Sequence, residues 1–222
     1  MRGRDTKNLI LDAAESLFSK RSYVDVTFRQ IADLAGLHVS QIIYHFQNKD
    51  GLLKQVVIRR AAELNDERMS VLNAYRRVVS DEGMEIEPLV RAFFDPYLTK
   101  IIEDETDGWR NFGALIGRIV WDPLALPAID AAYNEVASHY LAAFTKAAPE
   151  IDEENVHRAF QFLLAAMYSA CADNRRIDTL SDGRYSSRDL DRIYECAIPF
   201  VTGGFKAMAG LPAKKQEHDG GK

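Results

Sequence analysis

At 222 residues, with 47% hydrophobic and 27% charged side chains, the chain has the apolar content of a folded globular protein, which excludes a disordered one. No apolar run approaches the ~20 residues that span a bilayer, and Met1-Arg2-Gly3-Arg4-Asp5 leads into an amphipathic segment, not a signal peptide; a cytoplasmic protein with no membrane partner is expected. The net charge of −5 hides an asymmetry: residues 1–60 carry ten Lys and Arg against six Asp and Glu, or +4, whereas residues 61–222 carry 18 against 27, or −9, a basic head on an acidic body.

Apolar positions recur at three- and four-residue spacing almost throughout, which makes the fold class all-α. Ile10, Ala13, Ala14, Leu17 and Phe18 form one stripe and predict a first helix over about 5–20, ended by Arg21-Ser22-Tyr23. Thr27 is a good N-cap for a second helix with Phe28, Ile31, Ala32 and Ala35 on one face, and Gly36 stops it. Only Ala35-Gly36-Leu37 separates this helix from the next apolar set at Val39, Ile42, Ile43 and Phe46. Two short helices joined by a glycine-containing three-residue turn make a helix-turn-helix. Asn48 caps a long fourth helix running toward Val79.

Further helices are expected at about 87–103 with Pro88 in the first turn, at 108–121, at 127–147 and from Asp152 to about 174. Ser186 with Asp189 resembles a capping box for a last helix that reaches about 208 and is kinked at Pro199. Residues 176–186 read as a loop. The two cysteines, Cys171 and Cys196, are too far apart for a CxxC motif and read as buried thiols.

The segments Ile10-Leu11-Asp12-Ala13-Ala14, Leu17-Phe18, Val26-Thr27-Phe28-Arg29-Gln30-Ile31-Ala32, Ala35-Gly36 and Tyr44-His45-Phe46-Gln47-Asn48-Lys49-Asp50-Gly51-Leu52-Leu53 together resemble the DNA-binding domain of the tetracycline-repressor (TetR) family. The resemblance covers about residues 5–53. It implies a three-helix, helix-turn-helix DNA-binding domain over 1–50 and a larger helical effector-binding and dimerisation domain over 51–210, while the glycines and charges of 211–222 read as a disordered tail. The implied partners are a double-stranded DNA operator, a second copy of the chain in a homodimer, and a small, largely apolar effector; no cofactor and no metal are expected. A repressor released from a palindromic operator is the expected function.

The same resemblance places DNA contacts at Thr27, Arg29, His38, Val39, Ser40, Gln41, Ile43, Tyr44, His45 and Lys49. Arg29, near the start of the second helix, is suited to a guanine edge or a phosphate, since its fork donates two parallel hydrogen bonds. On the recognition helix Gln41 can donate and accept at an adenine edge, Val39 or Ile43 can pack on a thymine methyl, Ser40 can donate or accept, and Tyr44 and His45 offer polar tips to phosphates. Lys49, beside the free backbone N–H groups of the next helix, is the expected phosphate clamp. Four positions depart from the family's common pattern: Arg21 and Ser40 stand for glycine, His38 for serine and Ile43 for tyrosine.

Two stripes on the terminal helices, Phe160, Leu163, Leu164 and Met167 with Cys171, and Leu190, Ile193, Tyr194, Ala197, Ile198 and Val201, suit a four-helix dimer seam or packing within one subunit. The aromatic-rich stretch 93–144 supplies either core or an effector cavity; the candidates are Phe93, Tyr97, Trp109, Phe112, Arg118, Trp121, Tyr133 and Tyr140. The competing readings are a helical enzyme and a helical interaction module with a non-functional DNA-binding head. No GxSxG, HExxH, Walker-type or dinucleotide fingerprint occurs, so the expectation is not an enzyme.

Overall fold

The computed structural model describes residues 2–106, 108–172 and 175–211, and all regular structure among them is helical. In chain order the α-helices are α1 (Arg2–Lys20), α2 (Phe28–Ala35), α3 (Val39–Phe46), α4 (Lys49–Val78), α5 (Ile86–Glu103), α6 (Gly108–Ile119), α7 (Leu126–Ala147), α8 (Glu153–Cys171), α9 (Arg176–Leu180) and α10 (Leu190–Met208). The tail expected over 211–222 lies outside the described residues apart from Leu211, as does the side chain of Cys171. Cys196 is exposed on α10, which corrects its reading as a buried thiol.

Local chemistry sets the helix ends. Thr27 Oγ1 accepts the Gln30 N–H at 3.3 Å while Gln30 Oε1 accepts the Thr27 N–H at 2.8 Å, a reciprocal cap that fixes the entry to α2. Gly36 ends α2 at φ 66°, a left-handed conformation that a Cβ would strain, and the turn sends the chain into α3. Asn48 Oδ1 accepts the Gly51 N–H at 2.7 Å to start α4; a Cβ at Gly51 would lie 2.9 Å from the Phe46 carbonyl oxygen, so only glycine lets α3 end this close to α4. Between them Gln47 takes φ 59° and ψ −53°, a strained γ-turn that sets the angle between the two helices. The last helix begins at Leu190, later than Ser186 implied, because Asp189 is the residue that caps it, accepting the Arg192 N–H at 3.0 Å. The expected loop 176–186 contains the five-residue α9.

The apolar core is built in two lobes. In the first, Phe18 of α1, Ile31 of α2 and Ile42 of α3 pack with Leu52 and Val56 of α4 and with Leu115 and Ile119 of α6, so the core of the head continues into the body. The second lies at the other end of α4, where Leu72 meets Phe94 of α5, Phe144 of α7, Phe160 of α8 and Phe205 of α10. Each of these side chains stabilises the fold by ~1.5–3 kcal/mol on burial. Helix α4, 30 residues and therefore about 45 Å long, runs through both lobes.

A buried ion cluster pins the head to this rod. Glu15 of α1, 3% exposed, accepts from Arg59 at 2.9 Å and from both Nε and the terminal nitrogen of Arg60, at 3.1 Å and 2.9 Å. Burial alone would lower the Arg60 pKa, but the Glu15 hydrogen bonds, with Asp104 and Asp12 beyond them, hold it above its ordinary value. The Arg60 guanidinium also lies 5.0 Å from the centre of the Trp109 ring at the start of α6, so one side chain links α1, α4 and α6. Glu15→Gln should destabilise the protein by about 3 kcal/mol, the low end for a broken buried pair because both arginines retain some contact with water. Asp12→Asn, on the exposed side of the same cluster, should cost less than about 1 kcal/mol. Urea unfolding of the two variants tests this, and equal losses would contradict the assignment.

Candidate DNA interface and ligand cavity

Helix α3 buries Ile42 and Phe46 against the head and turns its other residues outward. His38, Ser40, Ile43 and Tyr44 are exposed, Tyr44 by 82%, while Val39, Gln41 and His45 are half-buried. Arg29 is exposed at the second position of α2, beside this face, and Thr27 is exposed but committed to its cap. Nine of the ten expected DNA contacts thus lie on or next to one outward surface of the helix-turn-helix. Gln41 has a second task there. Its Oε1 accepts the His38 N–H at 3.0 Å, so the amide is held at the N-terminus of α3, and a two-bond contact with adenine requires that cap to open.

Lys49 is the exception. An ammonium has three donors, and those of Lys49 meet the carbonyl oxygens of Tyr23, Val24 and Val26 at 2.7, 3.3 and 3.0 Å, with the Tyr23 ring 4.4 Å away. In the DNA-free chain the ammonium expected to clamp a phosphate therefore ties the α1–α2 connection to the start of α4. Tyr23 completes it from the other side. Burial, then its hydrogen bond to the Asp50 carboxylate, raises its pKa, so the hydroxyl keeps its proton and donates to Asp50 at neutral pH.

In the body, a cavity of about 90 Å³ lies between α4, α5, α6, α7 and α8. Four of the eight expected effector residues, Phe93, Tyr97, Phe112 and Tyr133, line it. The other four do not, each for a physical reason. Trp109 is buried in the first lobe, edge-on to Phe112 at 5.8 Å and to Tyr97 at 6.4 Å. Arg118 falls two residues past Ile116, on the opposite side of α6, and is exposed beside Arg21 and Asp122. Trp121 lies past the end of α6 and is 66% exposed. Tyr140 is fully buried, its hydroxyl reaching the carbonyl oxygens of Ala92 at 2.8 Å and Arg68 at 3.0 Å, which makes it a pin between α5 and α4.

Sequence reasoning missed the cavity's contributions from α4 and α8. Leu64 and Arg68 come from α4, and Leu164, Met167 and Tyr168 from α8. Arg68 is the least expected, 1% exposed inside an apolar body. Its position one helical turn beyond Leu64, itself on the apolar face of α4, is the signal that was available.

Two family models match the chain: one described as bacterial regulatory proteins of the tetR family over residues 10–56, and one described as the tetracyclin repressor-like C-terminal domain over residues 91–204. The chain belongs to the TetR family. It is a DNA-binding transcriptional regulator and not an enzyme, which sets aside the enzymatic reading of its helical body. No curated protein matches its sequence.

The fold of the TetR-family chain recurs in solved structures. It is similar to GusR of Salmonella enterica at 18% identity and a TM-score of 0.58, covering 90% of this chain and 95% of that one. It is also similar to the fatty acid degradation regulator FadR of Bacillus halodurans at 18% identity and a TM-score of 0.54, covering 94% and 97%. The transcriptional regulator FadR of Bacillus subtilis, solved in complex with stearoyl-CoA, is similar at 15% identity and a TM-score of 0.58, covering 89% and 98%. Among the described residues no helix is long and apolar enough to cross a membrane.

Half of the residues expected at a dimer seam of this TetR-family chain are buried in its own interior. Phe160, Leu163, Met167, Ile198 and Val201 are buried where α8, α10 and α5 pack together, Leu164, Leu190, Tyr194 and Ala197 are half-buried at the edges of that core, and Ile193 is half-buried. Tyr194 donates to Asp95 of α5 at 2.6 Å, an intrachain contact. Phe160, Leu163, Met167, Ile198 and Val201 are thus committed to the subunit's own core, because the most continuous apolar stripe of a helix is the one its own subunit takes first, whereas the half-buried five retain exposed surface. The outward face of the same two helices carries Phe162, 57% exposed, and Phe200, 75% exposed, with Gly203 and Gly204 open to solvent beside them.

If Lys49 is a staple, Lys49→Ala should lower the stability of the DNA-free protein by about 2 kcal/mol, the value of charge-assisted hydrogen bonds lost from three carbonyls. Thermal unfolding without DNA measures it. An unchanged midpoint, with only DNA binding impaired, would restore the phosphate-clamp reading.

Proposed function

We propose that the protein is a homodimeric repressor that binds a roughly palindromic operator through α3 of each subunit and is released by a small, largely apolar molecule held in the α4–α8 cavity. The observation that carries this reading is the course of α4: the helix that lines the cavity with Leu64 and Arg68 also supports the head with Leu52, Leu53, Val56 and Val57. Leu64 lies about 22 Å along the rod from Lys49. A ligand that favours one tilt of α4 changes the spacing of the two recognition helices without touching DNA, and the coupling is reciprocal, typically ~5–150-fold. The stearoyl-CoA complex of the similar Bacillus subtilis FadR fits a body of this fold that accepts a molecule with a long apolar chain.

Each recognition helix reads its half-site with the exposed face of α3: Ser40 and Gln41 at base edges, Val39 or Ile43 on a thymine methyl, Tyr44, His45 and Arg29 at phosphates or, for Arg29, a guanine edge. Gel shifts with the DNA flanking the gene test the function. Gln41→Ala should lose discrimination between sequences, ~1–3 kcal/mol per base contact, with its cap contribution checked by thermal unfolding. Binding should fall steeply with salt. A protein that binds no duplex better than random DNA at any salt concentration would refute the reading.

The second copy docks on the outward face of α8 and α10. Large exposed apolar side chains at Phe162 and Phe200, alongside glycines that allow close backbone approach, are the features of a helix–helix contact surface. Phe200→Glu should give monomers by sedimentation with the helical signal intact, because an unpaired carboxylate is then buried between subunits. Ile198→Asp, which places the charge inside the subunit, should unfold the chain instead. Dimers that survive Phe200→Glu would move the seam elsewhere.

A further inference from the structure

We propose that a small pocket between the end of α1 and the end of α6 binds one phosphate group, as the free ion or as the head of a phosphate monoester, between Arg21 of the head and Arg118 of the body. The pocket is separate from the α4–α8 cavity, and its occupancy does not depend on an effector there. Its volume is about 80 Å³. Phe18, Leu53, Leu115 and Ile119 line it as buried side chains and form its floor, while Arg21, Ser22 and Arg118 stand exposed at its rim.

Two guanidiniums that border one pocket from the two sides of a joint repel each other unless an anion lies between them. Among the described residues neither side chain makes a hydrogen bond or an ion pair. Asp122, the carboxylate that shares the pocket, pairs with neither arginine; its Oδ1 accepts the Leu124 N–H at 3.0 Å, which holds it to the α6–α7 turn. An arginine on open surface is simply hydrated. These two share a concave space with an apolar floor, where an anion is screened less and the field of both cations is concentrated. Arg21 also stands where the TetR pattern commonly has glycine, and its backbone takes no left-handed angle that glycine would serve. The cation at this joint is therefore a feature of this chain.

The geometry of the donors selects the anion. A guanidinium presents parallel N–H groups in one plane, and a tetrahedral phosphate has oxygens on more than one side, so a single group accepts from both forks at once. Size points the same way. About 80 Å³ is several times the ~10–15 Å³ that one water needs and about half the ~150 Å³ that holds benzene, so the pocket takes an oxyanion and not a ring. The exposed rim leaves the remainder of an ester in water. Lys20, one residue before Arg21, lines the adjoining cleft that Arg118 also borders, and adds a third positive charge. A phosphate held here ties α6 to the α1–α2 connection beside Tyr23, whose hydroxyl donates to Asp50 and whose carbonyl accepts from Lys49.

The test is calorimetry and thermal unfolding of the unmodified full-length protein with inorganic phosphate and with glycerol phosphate, at an ionic strength held constant with chloride. One phosphate per chain is expected at a Kd of about 1 mM, and at about ten times that concentration the melting temperature should rise by about 3 °C. Arg21→Gly and Arg118→Gln, both at exposed positions, should each weaken binding about tenfold, the worth of a charged hydrogen bond, and remove most of the shift, while Arg118→Lys should keep part of it. If one of these variants does not fold, the others decide. Tighter binding of inorganic phosphate makes the free ion the ligand, and tighter binding of the ester makes it a phosphorylated metabolite; either supports the site. Phosphate that binds Arg118→Gln as well as the unmodified protein overturns it. So does a midpoint that climbs without saturating and equally in every variant, the behaviour of an excluded solute, or no saturable binding of either probe up to about 50 mM.

Discussion

Glu15 sits between Arg59 and Arg60 with almost no contact with water, and the attachment of the head to the body depends on that placement. A carboxylate buried without partners is far too unstable to persist, so α1 is held wherever α4 presents both arginines. Arg60 extends the constraint by covering the Trp109 ring, whose centre also lies 4.9 Å from the Lys100 ammonium, which pairs with Glu63 and Glu67. Around this polar clamp the apolar residues of α1, α4 and α6 close into one lobe. The clamp supplies direction and the apolar contacts supply most of the stability.

Such an attachment has a functional consequence. A head on a flexible linker would be blind to events in the body, whereas one whose core is shared with α6 must follow when α6 or α4 shifts. The cavity is walled by those same two helices: Phe112 and Ile116 face it from α6, while Leu115 and Ile119, on the other side of α6, pack in the head's lobe. Two helices therefore connect the cavity with the DNA-facing surface, and tight packing between them transmits displacement in place of absorbing it. Lys49 and Tyr23 finish the connection at the α1–α2 segment.

Much of this was legible in the sequence, for reasons that differ between its parts. The head was readable because its signals are local: Thr27, Gly36 and Asn48 act within four residues of where they stand, and the helix-turn-helix face follows from the 3.6-residue period. The role of Lys49 was not readable, since its carbonyl partners lie 23 to 26 residues upstream and no periodicity announces them. The cavity was half legible. Aromatic density located α5, α6 and α7, but Trp109 and Tyr140 resemble Phe93 and Tyr133 as residue types, and only packing separates core from lining. Arg68 was hidden because an arginine in a long amphipathic helix reads as surface. The packing of the last helices was legible only in part: Ile198 and Val201 belong to the stronger stripe, and strength of stripe marks burial within the subunit, whereas the outward face carries only Phe162 and Phe200 beside glycines.

The central claim is that head and body form one cooperative unit joined at Glu15, and native-state hydrogen exchange tests it without any ligand or DNA. The account predicts that amides of α1 between Ile10 and Phe18 and amides of α6 between Leu115 and Ile119 open with the same free energy, and that Glu15→Gln lowers both together. A head that opens at much lower free energy than α6, in the unmodified protein, would contradict it and make the first three helices an independent unit.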